Sequence, residues 1–234
     1  MSRHVVVTGA NRGIGRAIAT AFVEAGYTVS SIYRGGELPD GVHGAVADVT
    51  DTDAVNAAFD ALEAAHGRVG VLVANAGVTR DGLLMRMSDE DFEQVLDVNL
   101  TGTFRCVRRA VQSMIREKYG RVVLIGSVVG LLGNAGQVNY SASKSALVGM
   151  ARSITHELGS RGITANVIAP GFITTAMTEE LSADVVSQYE ANIPAKRFGS
   201  PEEVAAVVTF LASDQAGYIS GAVIPVDGGL GMGH

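Results

Sequence analysis

Val5-Val6-Val7-Thr8-Gly9-Ala10-Asn11-Arg12-Gly13-Ile14-Gly15 runs from a β-rich apolar stretch through a glycine-punctuated turn into the first residues of a helix. Ile14, Ile18, Ala21, Phe22 and Ala25 then recur at helical spacing and stop at Gly26, and a second β-rich stretch runs from Thr28 to Tyr33. Strand, turn, helix and strand in that order predict a βαβ crossover. The alternation persists through Val42 to Ala47, Val69 to Ala74, Val122 to Gly126, Thr164 to Ala169 and Ala222 to Val226, with helical patterns between them such as Val55, Phe59 and Leu62. Ser88 with Asp91, and Ser200-Pro201-Glu202-Glu203, carry the hydroxyl and carboxylate spacing of helix N-termini. Seven strands alternating with helices predict an α/β fold: one doubly wound parallel sheet of seven strands covered by helices on both faces.

The bulk properties agree. The chain has 234 residues, 47% hydrophobic and 18% charged, with a mean hydropathy of +0.25, as strands buried on both faces require. A single domain over 1–234 is expected, with no linker. No apolar run reaches the roughly 20 residues of a membrane span, and the first strand begins near His4, so a cytoplasmic protein without a signal peptide is expected. A net charge of −6 argues against general nucleic-acid binding. Cys106, the one cysteine, sits in an apolar helical stretch and reads as packing. His4, His43, His66, His156 and His234 show no ligand spacing, so no metal centre is expected. Ile125 stands where a nucleophile elbow around Ser127 would need glycine, which argues against a serine hydrolase.

Between strand and helix, Gly9, Gly13 and Gly15 permit a tight turn and close approach of backbone to a pyrophosphate at the helix N-terminus, with Asn11, Arg12 and Ile14 around it. Asp48-Val49 and Asn75-Ala76-Gly77 follow strands on the edge where such a sheet binds ligands. Asp48 can accept from an adenine amine and Asn75 can brace neighbouring backbone; turn-forming Asx residues are the plainer reading of both. Arg34 follows the second strand where a carboxylate would select a free ribose hydroxyl. With Arg12 it can clamp a 2′-phosphate, so NADPH/NADP+ is expected rather than NADH.

Tyr140 and Lys144 stand four residues apart, hence on one helical face, thirteen residues after Ser127. An ammonium beside a phenol favours its ionised form, which predicts a tyrosine acidified for proton transfer. From Pro170 to Gly199 the pattern loses regularity, and a substrate-covering lid at about 170–200 and an ordinary surface excursion both remain open.

Thr8 to Gly15, Asn75-Ala76-Gly77, Asn99, Ser127, Tyr140, Lys144 and Pro170-Gly171 together resemble the short-chain dehydrogenase/reductase family over the whole chain, which implies a Rossmann-type domain. Within it, Ile125 to Gly130, Arg161 to Val167, Pro170 to Ile173 and Ile219 to Gly229 are most similar to bacterial 3-oxoacyl-[acyl-carrier-protein] reductases, the actinobacterial forms especially. The resemblance implies NADPH-dependent reduction of a 3-oxoacyl chain on acyl carrier protein to the (3R)-3-hydroxyacyl product. Tyr140 would be the acid, Ser127 would hold the carbonyl oxygen, Lys144 would acidify Tyr140 and bind the nicotinamide ribose, and Asn99 would keep a water in the proton relay. Pro170, Gly171, Ile173 and Thr175 would meet the cofactor, Ile173 through its backbone and Thr175 through its hydroxyl. Lys118 and Arg161 match the family's carrier-docking positions. For Arg105, Arg108 and Arg109, docking of the acidic carrier and a solvated helix face or subunit interface remain equally open. A homotetramer is implied, built on helices around Leu100 to Ile115 and Leu147 to Leu158 and on the last strand. Ser141 replaces a common alanine, and Ala176 replaces an aspartate usual before Met177. A short-chain reductase of acyl-CoA, polyketide or other small carbonyls is the alternative, and a nucleotide-binding regulator without catalysis is a third reading.

Overall fold

The computed structural model describes residues 3–175 and 183–232. Seven strands form one all-parallel sheet in the order β3-β2-β1-β4-β5-β6-β7. They are β1 (His4–Thr8), β2 (Thr28–Tyr33), β3 (Val42–Val46), β4 (Val69–Ala74), β5 (Gly120–Ile125), β6 (Ile163–Pro170) and β7 (Val223–Val226). Each lies within two residues of its expected place. The order reverses between β1 and β4, which opens a crevice at the carboxyl ends of the strands.

Alternation along the strands sorts the core into two layers. Val6, Ile32, Leu72 and Leu124 point to a face covered by α2 (Thr52–His66), α4 (Thr103–Glu117) and α6 (Val138–Leu158). Val5, Val7, Val71, Val73 and Val123 point to the other, covered by α1 (Gly13–Glu24) and α8 (Pro201–Ala212). Both sides of a central strand are therefore dry, and its run of valines follows from that. The expected helix starts form as read. Ser88 Oγ accepts from the Asp91 N–H at 3.1 Å to open α3 (Asp89–Leu96). Ser200 and Glu203 make a reciprocal capping box ahead of α8. Two short helices, α5 (Val129–Leu132) and α7 (Ala183–Asn192), complete the described elements used below. Ala176, the expected departure from the resembled family, lies outside the described residues, as does part of the expected lid. Among the described residues no helix is long and apolar enough to cross a membrane.

Three of the five histidines, far apart in sequence, meet at the amino-terminal edge of the sheet. The His4 ring is buried, with Nδ1 2.7 Å from the Gly67 carbonyl and Nε2 2.8 Å from Ser30 Oγ. A carbonyl can only accept, so Nδ1 carries the proton and neutral Nε2 accepts from Ser30. His66 packs edge-on to His4 at 5.8 Å and stacks on His43 at 3.9 Å. Spacing could not reveal this cluster, because β1, β3 and α2 each bring one ring.

Burial holds the His4 pKa below its ordinary value despite the Gly67 bond, and burial with the His43 neighbour lowers that of His66. An unfolded chain takes up protons near pH 6.5 before these rings do, so stability is fully present above that pH and is lost as pH falls. The melting temperature should hold steady from about pH 8 to 7 and drop between about 6.5 and 5. His4→Asn, which keeps a donor for Gly67, should flatten that slope in a circular-dichroism series. Parallel curves for the two proteins would place the acid sensitivity elsewhere.

Candidate active site

At the switch point, the β1 turn and the β4 turn are locked together by one hydroxyl. Thr8 Oγ1 accepts from the N–H groups of Asn75 and Ala76, each at 2.9 Å. Asn75 returns its amide to the carbonyls of Thr8 at 2.9 Å and Gly9 at 3.2 Å, which makes it the brace that the sequence suggests. Gly9 and Gly13 adopt positive φ of 72° and 52°. Gly15 has a different reason: a Cβ there would lie 2.3 Å from the Gly9 carbonyl oxygen and 2.4 Å from Asn75 Nδ2. Its bare backbone lets the first turn of α1 press against both. That turn has no acidic residue and no side-chain cap, so its N–H groups and positive dipole end are left for an anion.

A cavity of about 700 Å³ opens over this cradle. Every cofactor residue expected from the sequence lines it, from Gly9, Asn11, Arg12, Gly13, Ile14 and Gly15 through Arg34, Asp48, Val49, Asn75, Ala76 and Gly77 to Pro170, Gly171, Ile173 and Thr175. Ser127, Tyr140 and Lys144 line the same cavity. Asp48 also shows the plainer behaviour, since its Oδ1 accepts from the Thr50 N–H at 2.9 Å and hydroxyl at 2.8 Å. Its Oδ2 faces Arg34 Nη1 at 3.8 Å. Burial raises the Asp48 pKa, but the two Thr50 bonds and Arg34 together outweigh it, so the carboxylate stays ionised.

The reacting end is assembled by two close approaches. Gly126 donates to the Ile168 carbonyl at 2.7 Å and Val128 to the Pro170 carbonyl at 2.9 Å, so Ser127 leaves β5 beside the end of β6. A Cβ on Gly130 would fall 2.9 Å from Lys144 Cβ and 3.0 Å from its carbonyl carbon, so α5 can cross α6 closely only because this position is bare. The crossing sets Tyr140 beside Ser127 in the cavity lining, and the serine hydroxyl favours the phenol's ionised form. Asn139, immediately before the tyrosine, is fully buried and ties α6 to the loop after β4, donating to the Arg80 carbonyl at 2.8 Å. Sequence reading passed over Asn139, although a polar residue at the first turn of an apolar helix is a signal for such a tie.

Lys144 and Tyr140 stand together on α6, with the ammonium engaged by a backbone carbonyl. The lysine is 5% exposed, its Nζ donates to the Ile125 carbonyl at 2.8 Å, and it stands 5.6 Å from the centre of the tyrosine ring. Burial therefore acts on both groups in the unhelpful direction: it raises the Tyr140 pKa against the Ser127 bond and lowers that of Lys144 to about 8. Desolvation is the largest influence on both groups.

Asn99 does not line the cavity but supports its wall. It lies in a π-helical turn (Asp97–Gly102), where its Oδ1 accepts from the Val78 N–H at 2.8 Å and its Nδ2 donates to the Val78 carbonyl at 3.0 Å. Val78, unnoticed in the sequence, is a cavity residue. Lys118 and Arg161 lie elsewhere. Lys118 ends α4 in the left-handed region, and a Cβ on Gly162 would come within 2.5 Å of its carbonyl oxygen, so the turn carrying Arg161 abuts it. Both precede β5 and β6 and thus sit at the sheet edge opposite Ser127, a six-residue strand away, roughly 20 Å. Arg109 and Arg105 are not bare helix-face cations: the first pairs with Asp60 at 2.6 Å and Glu63 at 2.7 Å, the second with Asp97 at 2.8 Å.

Residues 9–231 match the family described as Enoyl-(Acyl carrier protein) reductase. The chain is 55% identical over 234 residues, 100% of its own length and 95% of the relative's, to the 3-oxoacyl-[acyl-carrier-protein] reductase MabA of Mycobacterium tuberculosis. It is 43% identical to the 3-oxoacyl-[acyl-carrier-protein] reductase FabG of Staphylococcus aureus, covering 99% of both. The crystal structure of gox2181 superposes with a TM-score of 0.94 at 35% identity, covering 98% of this chain and 95% of that one.

The fit of a dinucleotide depends on the bare position in the cradle. Gly15→Ala should weaken nicotinamide-dinucleotide binding about tenfold or more and also lower the melting temperature, because the Gly9 backbone and the Asn75 amide must shift. Fluorescence titration with reduced cofactor checks it, and unchanged affinity would mean that the α1 turn is not the cradle.

Proposed function

The chain belongs to the short-chain dehydrogenase/reductase family, and we propose that it reduces 3-oxoacyl-[acyl-carrier-protein] to the (3R)-3-hydroxyacyl form with NADPH during fatty-acid elongation. The observation that carries this reading is that Ser127, Tyr140 and Lys144 line the same cavity as the glycine turn suited to a dinucleotide. Two hydroxyl side chains in one cavity suit an oxygen that gains charge and then a proton, which favours a carbonyl over the alkene named in the family's description. The relatives' shared name supports the same choice.

Bound NADPH supplies the hydride that reaches the carbonyl carbon. The protein's part is to hold and protonate the oxygen. Ser127 donates a hydrogen bond to it, and Tyr140 transfers the phenolic proton as charge develops. A phenol with a raised pKa keeps its proton until that moment. Lys144, held near pKa 8, can return a proton to the tyrosine at neutral pH once it leaves the Ile125 carbonyl for the ribose hydroxyls. Asn99 serves the relay by fixing the wall beside it. Arg34 and Arg12 favour NADPH, because no carboxylate follows β2 and Arg34 is already oriented by Asp48.

Lys118 and Arg161 dock the acidic carrier protein. In a homotetramer, their position on the opposite edge of the sheet would suit docking toward the pocket of a neighbouring subunit. Phe104 and Tyr218 are exposed apolar contacts available to such an assembly, whereas Leu147 is consumed by the protein's own core. The segment at about 170–200 acts as the lid, and the enzyme works in the cytoplasm.

Purified protein should oxidise NADPH with acetoacetyl thioesters and leave crotonyl thioesters untouched; the reverse preference would overturn the carbonyl reading. Tyr140→Phe should lower kcat by about 10² to 10⁴ while still binding NADPH, and a variant with full turnover would remove the assigned acid.

Charge tests separate cofactor choice from docking. Arg34→Leu should raise Kd for NADPH about tenfold or more and leave that for NADH nearly unchanged. Lys118→Glu with Arg161→Glu should raise KM for the carrier-borne substrate but not for a small thioester. Equal effects on both dinucleotides, or on both substrates, would contradict the roles given to these cations.

A further inference from the structure

Ser143 has no part in the motif that surrounds it, yet its side chain is completely buried beside the candidate active site. Its hydroxyl donates to the Tyr140 carbonyl at 2.7 Å and accepts from Asn99 Nδ2 at 3.1 Å. The first bond alone would be ordinary, because serine within a helix commonly bonds back one turn. The second comes from a different element, 44 residues away in sequence. The remaining amide atoms of Asn99 are both spent on Val78, in the cavity wall. An unbroken chain of hydrogen bonds thus runs from Val78 through Asn99 and Ser143 to the backbone of Tyr140.

The link from Asn99 to Ser143 at its centre is buried, where an orphaned amide hydrogen is costly. Gly77 shows how close the parts stand: a Cβ there would be 3.2 Å from Asn99 Oδ1 and 3.5 Å from Lys144 Nζ. The strut therefore fixes the distance between the wall after β4 and the first turns of α6, which carry the tyrosine and the lysine.

We propose that Ser143 is a positioning residue for the reduction: it transmits the placement of the Asn99 amide to Tyr140, holding the phenol where Ser127 and the reacting oxygen also meet. This rests on the catalytic reading of Tyr140 given above. Loss of the hydroxyl leaves an Asn99 N–H without its acceptor and releases the Tyr140 turn by one bond, with no contact to the dinucleotide changed.

The test compares Ser143→Ala and Ser143→Thr with wild type. Ser143→Ala should lower kcat about tenfold at an NADPH Kd unchanged within about twofold. The phenol's titration, read by difference absorbance against Tyr140→Phe, should move toward the ordinary tyrosine value as the ring loses its fixed, desolvated place. Ser143→Thr, which keeps the hydroxyl, should recover most of kcat. Wild-type kcat with an unmoved titration in Ser143→Ala overturns the proposal. A Ser143→Thr protein that binds NADPH normally but is as slow as the alanine variant also overturns it, and this arm decides the matter if the alanine variant does not fold. The titration needs no substrate, so a shift in Ser143→Ala alongside a wild type inactive on every acyl thioester would uphold the strut while refuting the proposed reaction.

Discussion

The absent side chain at Gly15 is the constraint on which the cofactor half of the structure depends. Any Cβ there would overlap both the Gly9 carbonyl oxygen and the Asn75 amide. Because the position is bare, α1 starts directly over the junction of β1 and β4, and its unpaired N–H groups face the crevice. Thr8 and Asn75 then secure the same junction from the sheet side with bonds of 2.9 to 3.2 Å. The cradle is thus built from backbone held by two small polar side chains, and its shape is set before any ligand arrives.

The second half of the site rests on another bare position and on buried polar groups. Gly130 lets α5 and α6 cross at a separation that brings Tyr140 to Ser127, and Asn139, Asn99 and Ser143 tie α6 to the loop and turn around it. Buried amides and hydroxyls are costly unless every atom is partnered, so such a network specifies one arrangement of its elements. It determines where the Tyr140 phenol stands, while the hydrophobic layers determine only that the helices cover the sheet.

The sequence made the strands and the cavity lining legible, for identifiable physical reasons. Parallel strands buried on both faces leave runs such as Val5-Val6-Val7, and glycine turns that follow them mark the ligand edge. What it concealed were properties set by three-dimensional proximity. The i, i+4 spacing placed Lys144 on the same face as Tyr140 but could not show that its ammonium turns to the Ile125 carbonyl. The histidines read as scattered because three elements deliver one ring each. Ser143 and Asn139 were overlooked since a buried serine or asparagine looks, in a helix, like any surface polar residue. Leu147 belongs to the core, which periodicity cannot distinguish from an apolar interface stripe.

The opposed positions of Ser127 and the Lys118–Arg161 pair carry an evolutionary corollary. Parallel strands separate the rim that carries Ser127 from the rim that displays Lys118 and Arg161. Mutation at the basic rim can drift, invert its charge or adapt to a new surface without perturbing the nucleotide cradle. A single scaffold can in this way acquire new clients while its reaction stays the same.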